Sequence, residues 1–197
     1  MKRCLYCFRE YENAYTVCPH CGYAEGTSAA EPQYLQPGTL LASRYLVGAV
    51  IGAGGFGVTY GAWDRVLDQR VAVKEFLPGE FSTRIPGQTE VTVYGGEKTE
   101  QFRDGKNKFY EESRRLAKLQ KVPGIVQIYN SFLENGTAYI VMEYLEGETL
   151  GARLKREGKL PLEEAIRIIT PVLYSLEAVH REGILHRDIA PKNIFLT

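Results

Sequence analysis

Apolar and polar residues alternate from Arg44 onward, a period that predicts β-strands. The first strand places four apolar residues on one face: Tyr45, Val47, Ala49 and Ile51. A glycine-rich run separates it from a second strand, and a third strand is predicted over residues 70–76. In the third strand Ala72 and Lys74 share one face, so the lysine stands beside a small residue.

The second half of the chain predicts a hairpin followed by helix. Two strands are predicted over residues 125–129 and 138–144. An Asn-Gly pair between them favours a tight turn, because both turn positions require positive φ. Farther along, apolar residues recur every three or four positions, and Pro161 followed by two glutamates predicts a helix start. Pro171 inside this run predicts a kink.

Another helix is predicted from about residue 108 to residue 120. Its apolar stripe contains three residues: Phe109, Leu116 and Leu119. Glu112 falls on the same stripe, whereas Glu111 does not, and a carboxylate on an apolar face is costly unless it is paired. Lys74 is the candidate partner. The alternative is that Glu112 lies at the rim of the stripe and reaches water.

All four cysteines lie near the N-terminus, as two Cys-x2-Cys pairs: Cys4, Cys7, Cys18 and Cys21. Two such pairs supply four thiolates in a tetrahedron, an arrangement that suits a structural Zn²⁺ ion. Gly22 follows the second pair, where a metal knuckle needs a residue that tolerates positive φ. Two disulfides or four free thiols are the alternatives, and an intracellular setting disfavours disulfides.

Composition narrows the class of protein. The 197 residues carry 24 acidic and 24 basic side chains, so net charge gives no pull toward nucleic acid or an anionic membrane. The N-terminal segment that carries the four cysteines, which we call the ribbon, has few basic residues and likewise gives no reason to expect nucleic acid binding. No apolar run approaches the ~20 residues that span a bilayer. The N-terminus has no apolar signal-peptide core, and we therefore expect a cytoplasmic protein.

Five polar side chains occupy residues 186–193, between apolar flanks. Asp188 is suited to accept the proton of an attacking hydroxyl, and Lys192 to neutralise a transferring phosphate. Asn193 offers an amide oxygen to Mg²⁺. Taken alone, such a stretch is also compatible with an ordinary polar loop.

The glycine-rich run between the first two strands is a second candidate site. It has Gly-x-Gly-x-x-Gly spacing and lets the backbone approach phosphates closely. The spacing alone is weak evidence, since hairpins also use glycines for turn geometry. The flanking residues discriminate, because a dinucleotide-binding fold requires a helix after the glycines and this chain continues as a strand.

The order of these motifs resembles that of protein kinases. His-Arg-Asp followed after four residues by Asn resembles the kinase catalytic loop, and Val-Ala-Val-Lys resembles the strand that carries the nucleotide lysine. Lys192 in its Ala-Pro-Lys-Asn context is similar to the serine/threonine class. With the predicted zinc ribbon, the chain is similar to bacterial serine/threonine kinases of eukaryotic type.

The resemblance implies ATP and Mg²⁺ as cofactors and protein serines or threonines as substrates. Asp188 is then the base, Lys74 holds the α- and β-phosphates and pairs with Glu112, Asn193 binds Mg²⁺, and Lys192 completes the catalytic set. His186 and Arg187 brace the loop. Met142 gates the pocket, and the backbones of Glu143 and Leu145 bond the adenine edge. The implied nucleotide-binding set is Ile51, Gly52, Ala53, Gly54, Gly55, Phe56, Gly57, Val58, Ala72, Lys74, Met142, Glu143 and Leu145.

We therefore expect an α+β chain with a zinc ribbon (1–23), a linker (24–39) and an incomplete kinase domain (40–197). The N-lobe, an antiparallel sheet with one helix, covers 40–145, and the start of a helical C-lobe covers 146–197. Residues 77–107 are predicted as an insertion with one short strand.

The 197 residues contain no Asp-Phe-Gly motif and no activation loop. We therefore expect this piece alone to transfer no phosphate. The alternative function is a non-catalytic nucleotide-binding scaffold with the ribbon as adaptor. We also expect a chelator to unfold the ribbon and spare the nucleotide pocket.

Overall fold

The computed structural model describes residues 1–119, 122–185 and 188–197. The chain forms two compact units. The N-terminal unit comprises Met1–Leu116 and Ile128–Tyr144, and the C-terminal unit comprises Ala117–Gln127 and Leu145–Thr197. None of the helices within the described ranges is long and apolar enough to cross a membrane.

The ribbon at the start of the N-terminal unit is a small antiparallel pair. Strand β1 (Lys2–Arg3) pairs with β2 (Glu10–Tyr11). Cys4, Cys18 and Tyr11 form its buried centre, with Cys7 and Tyr23 packed against them. These few apolar side chains form only a small core. A bound metal is therefore expected to be the main source of the ribbon's stability.

A six-stranded antiparallel sheet is the core of the N-terminal unit, with strand order β3-β4-β5-β6-β10-β9. The strands are β3 (Leu40–Leu41), β4 (Tyr45–Gly54), β5 (Gly57–Asp64), β6 (Gln69–Phe76), β9 (Ile128–Glu134) and β10 (Thr137–Glu143). The Asn-Gly turn predicted between the last two strands is present, with positive φ at Asn135 and Gly136. The strand predicted over 125–129 begins three residues later than expected.

The two faces of the sheet have different partners. The back face contains Tyr60, Val71 and Val73, which are fully buried in the main hydrophobic cluster. Leu35, from the segment predicted as a linker, is buried in the same cluster. The front face carries the alternate side chains of β5 and β6: Thr59, Trp63, Ala72, Lys74 and Phe76.

A buried polar network on the back face was not predicted. The carboxylate of Glu75 is fully buried and forms an ion pair with the guanidinium of Arg84, which is 2% exposed. The hydroxyls of Tyr60 and Tyr139 donate to Glu75 over 2.8 Å and 2.6 Å. Arg84 also donates to the carbonyl of Gln33 over 2.8 Å. The network therefore joins the sheet to the linker and to the insertion.

The insertion is more structured than the sequence predicts. The short strand expected near residues 91–94 is present as β8 (Val91–Val93), and it pairs with an additional strand, β7 (Ser82–Arg84). The last part of the insertion, from Glu97, belongs to helix α1 (Glu97–Leu116), which begins eleven residues before the predicted start. Local sequence concealed this start because the first half of the helix is almost entirely polar.

The buried face of α1 also differs from the predicted stripe. Phe102 and Ser113 are its buried residues, and Phe102 and Phe109 pack against Phe76 of the sheet. The helix ends at Leu116, so Leu119 belongs to a separate 3-10 turn (Ala117–Leu119) and does not define the helical face. The predicted last residue of the helix, Gln120, lies outside the described residues.

The C-terminal unit is mainly helical, with helices α2 (Leu150–Glu157) and α3 (Leu162–Arg181). Pro161 caps α3, as the start signal predicts, and the helix runs through Pro171 without a break. Short strands β11 (Glu148–Thr149) and β12 (Phe195–Leu196) pair with each other. The apolar stripe of α3 is not a buried core in the part of this unit that the structure describes, since Ile166 and Leu173 are more than half exposed.

Candidate nucleotide and catalytic sites

The glycine-rich run forms the turn between β4 and β5, as predicted. Gly54 pairs with Gly57, and Gly55 and Phe56 form the exposed tip. Side chains added at Gly52, Gly54 or Gly55 would meet no atom within 4 Å, so open space surrounds this backbone. Gly57 is required for a different reason: its φ is 147° and an added Cβ would collide with the carbonyl of Glu75.

Lys74 lies on the front face below this turn. Lys74 is directly opposite Thr59 of β5 and Ile140 of β10. Ala72, two residues earlier on the same strand, is opposite Met142. The lysine is partly exposed, and its ammonium nitrogen lies 5.9 Å from the centroid of the Phe109 ring. A cation, a small residue and a partly buried methionine therefore share one surface; the strand pattern predicted the shared face of Ala72 and Lys74, and the kinase resemblance implied the place of Met142.

The position of Val58 corrects one of the predicted nucleotide contacts. Val58 pairs with Glu75, is 1% exposed and belongs to the buried cluster of the back face. Because side chains alternate along a strand, it points away from the face that carries Lys74. Thr59 is the residue of β5 on the Lys74 face, so the expectation for Val58 was displaced by one residue.

The predicted pairing of Lys74 with Glu112 is not formed within the described part of the N-terminal unit. Glu112 is exposed, and Lys74 is placed over Phe109 instead. The reason is the helical phase, since Phe102, Phe109 and Ser113 form the inward face of α1 and Glu112 lies beside it. The role of Glu112 in holding the lysine therefore remains a proposal.

The segment predicted to contact the adenine ring begins with the last two residues of β10. Met142 is partly buried opposite Ala72, and Glu143 ends the strand. Leu145 is the first residue of the second segment of the C-terminal unit, Leu145–Thr197. Their contacts with an adenine ring remain proposals.

The predicted catalytic loop lies in the C-terminal unit. The amide nitrogen of Asn193 donates to the carbonyl and to a carboxylate oxygen of Asp188, each over 2.9 Å. The ammonium of Lys192 lies 3.5 Å from the same carboxylate oxygen. Asp188, Lys192 and Asn193 are thus brought together as predicted. His186 and Arg187, the predicted braces, lie outside the described residues.

Helix α2 and the β11–β12 pair hold this loop. Residues Pro191–Asn193 form a 3-10 turn, and a Cβ at Gly151 of α2 would lie 3.2 Å from the backbone nitrogen of Lys192. The amide of Leu150 donates to the carbonyl of Ile194 over 2.7 Å. The acid, cation and amide therefore stand on backbone that is fixed at its C-terminal end.

The four ribbon cysteines converge on one point. Their sulfur atoms all lie within 4.8 Å of one another, with 3.6 Å between Cys4 and Cys21 and 3.8 Å between Cys7 and Cys18. Four thiolates at a Zn–S distance of about 2.3 Å stand about 3.8 Å apart. The donor set and its spacing fit a tetrahedral metal ion, and no cysteine is in a disulfide.

The thiols of this cluster differ in acidity. Burial opposes ionisation of Cys18, but backbone N–H groups of His20 and Cys21 donate to its sulfur, and the pKa of Cys18 falls to about 7. Burial and the neighbouring thiols raise the pKa of Cys21 to about 12. Metal capture needs thiolates, so binding would displace protons from the cluster.

Comparison with known proteins agrees with this architecture. The family model for the protein kinase domain matches residues 45–197. Serine/threonine-protein kinase PknL of Mycobacterium tuberculosis is 35% identical over 158 residues, which are 80% of this chain and 35% of that protein. Serine/threonine-protein kinase PksC of Streptomyces coelicolor is 34% identical over 166 residues, covering 80% of this chain and 26% of the relative. The chain belongs to the protein kinase family, among the serine/threonine kinases of bacteria.

Solved structures show the same fold. The apo form of PpkA-294 is similar with a TM-score of 0.76 and 30% identity, over 83% of this chain and 57% of that one. The PknI kinase domain of M. tuberculosis gives a TM-score of 0.64 at 25% identity, over 83% and 58% of the two chains. The chain spans about a fifth to a third of the length of the curated relatives that it matches.

Proposed function

We propose that the whole protein transfers the γ-phosphoryl group of ATP to serine or threonine hydroxyls of proteins. The observation that carries this proposal is the front face of the sheet, where Lys74 and Ala72 lie together below an open glycine turn, within a chain of the kinase family. The small side chain of Ala72 leaves room for a flat base, and the ammonium of Lys74 supplies a cation for the phosphates.

The division of labour follows from the chemistry of each side chain. Lys74 binds the α- and β-phosphates, and Glu112 is the proposed partner of the lysine. Asp188 accepts the proton of the substrate hydroxyl, and Lys192 neutralises charge on the moving phosphate. Mg²⁺, when bound, screens the phosphates, and the amide oxygen of Asn193 is the predicted ligand.

The nucleotide base occupies the front face near Ala72, with Thr59 in place of Val58 as the contact from β5. Ile51 and the glycine turn cover it, and Met142 and Glu143 border it. The 197 residues contain no Asp-Phe-Gly sequence, so we propose that these residues alone bind ATP without turnover.

The ribbon holds one structural Zn²⁺ ion through Cys4, Cys7, Cys18 and Cys21. Four thiolates fill all positions of a tetrahedron, so this ion has no open site for catalysis. His20 is exposed, and its ring nitrogen lies 3.2 Å from the carbonyl of Glu10, which gives it no part in the cluster.

Radiolabelled phosphate transfer by the whole protein tests the catalytic proposal. We expect Asp188→Asn to lower the rate by about 100-fold or more, the usual contribution of a positioned base. The matched control is Asp68→Asn, which removes an exposed carboxylate from the N-terminal unit. Wild-type transfer by Asp188→Asn would refute the assignment, and ATP binding by a whole protein with no transfer would favour the scaffold function.

A further inference from the structure

The ribbon is docked on the front face of the sheet rather than tethered beside it. The carbonyl of Leu5 accepts a hydrogen bond of 3.0 Å from the amide of Ala49 in β4. Phe8 is 2% exposed, and its ring stacks on Trp63 with 6.1 Å between centroids. The guanidinium of Arg3 lies 3.8 Å from the centroid of the same Trp63 ring.

Two glycines of the sheet make room for this contact. A Cβ at Gly48 would lie 2.2 Å from the carbonyl oxygen of Leu5 and 2.6 Å from the Phe8 ring. A Cβ at Gly61 would lie 3.4 Å from the Phe8 ring. The ring therefore fills the space that side chains on β4 and β5 would otherwise occupy.

The position of Gly61 connects the ribbon with the nucleotide site. Gly61 is directly opposite Ala72, so both face the side that carries Lys74. The side chain of Ile51, which precedes the glycine turn, also reaches Gly61, with 3.6 Å to the position of an added Cβ. The Phe8 ring and Ile51 thus border the same space in front of Gly61, the residue opposite Ala72.

We propose that Phe8 is a buried support for the roof of the nucleotide site: its ring occupies the space in front of Gly61 beside Ile51, and the docked ribbon thereby holds Ile51 in place and raises the affinity for the base. This inference rests on the proposed nucleotide site. It replaces the expectation that ribbon and pocket are independent, because an aromatic ring of the ribbon is packed into the sheet beside the pocket. Loss of the ribbon therefore leaves the space beside Ile51 empty.

Calorimetric titration of the 197-residue chain with Mg-ATP tests the proposal. We expect Phe8→Ala to raise the Kd about tenfold, because the space beside Ile51 is left empty and the roof over the base is held less firmly. The control is Tyr15→Ala, which deletes an aromatic ring of the same ribbon that is 52% exposed. Chelation of the metal is expected to weaken binding by the wild type and to add little to the effect of Phe8→Ala.

A second measurement does not depend on the folding of a variant. Nuclear Overhauser effects between the methyl protons of Ile51, which is 49% exposed, and the adenine protons are expected in the wild-type complex, and they are expected to weaken when the ribbon metal is chelated. Normal affinity of Phe8→Ala, or absence of these effects at saturating ATP, overturns the roof and leaves the proposed function intact. Absence of ATP binding by the wild type overturns the nucleotide site itself, and the roof with it.

Discussion

Replacing Arg84 by methionine tests how the back-face network supports the sheet. Arg84 and Glu75 are both almost fully buried, so the change leaves a carboxylate in the core without its cation. Removing one partner of a buried ion pair costs about 3–5 kcal/mol. The hydroxyls of Tyr60 and Tyr139 still donate to Glu75, but the bonds from Arg84 to Gln33 and Thr89 are lost. We therefore expect the free energy of unfolding to fall by about 3–5 kcal/mol.

Trp63 is the only tryptophan of the chain and belongs to the same sheet, so its fluorescence reports unfolding of the N-terminal unit. For a chain of this size the expected loss corresponds to a Tm lower by about 10 °C. The control is Arg181→Ala, which breaks an exposed pair with Glu177 and is expected to change nothing measurable.

A double variant separates loss of charge balance from loss of packing. Glu75→Gln with Arg84→Met removes both charges, and we expect it to recover a large part of the stability that Arg84→Met loses. The reasoning is refuted if the free energy of unfolding of Arg84→Met lies within about 1 kcal/mol of the wild-type value, because that difference is well below the cost of an unpaired buried charge.

Two further predictions concern acid stability and the ribbon metal. Burial opposes ionisation of Asp64, but two bonds from Arg44 of 2.8 Å and 2.7 Å, with backbone amides, lower its pKa. Its stabilisation is therefore present above the unfolded pKa and is lost as pH falls below about 4, and Asp64→Asn should flatten the acid limb of a denaturation profile; an unchanged limb would contradict this. Cys18→Ser should abolish stoichiometric Zn²⁺ binding measured by atomic absorption, whereas Ser28→Ala should retain one ion per chain; retention by Cys18→Ser would contradict the four-thiolate site.

The sheet was predictable because its signals are local. Alternation defined β4, β5 and β6, and an Asn-Gly pair defined the turn before β10. The cluster of Asp188, Lys192 and Asn193 was equally predictable, since a turn of a few residues brings them together. In each case the interacting groups are close in the chain.

The features that the sequence did not reveal depend on distant contacts. Nothing near Phe8 indicates that its ring fills the space above Gly61, and nothing near Arg84 indicates a buried partner in Glu75. The incorrect prediction of Val58 as a nucleotide contact has another cause. A shift of one residue along a strand assigns every side chain to the opposite face of the sheet, and only the pairing with β6 shows which face is correct.

Covalent labelling by an acyl-phosphate derivative of ATP, mapped by mass spectrometry, tests the nucleotide site most directly. The reagent acylates lysines beside bound phosphates, and we predict that Lys74 is modified and that excess Mg-ATP protects it. Exposed lysines such as Lys98 and Lys118 should react slowly and without protection. Labelling spread over these surface lysines, with Lys74 unmodified or unprotected, would contradict the account.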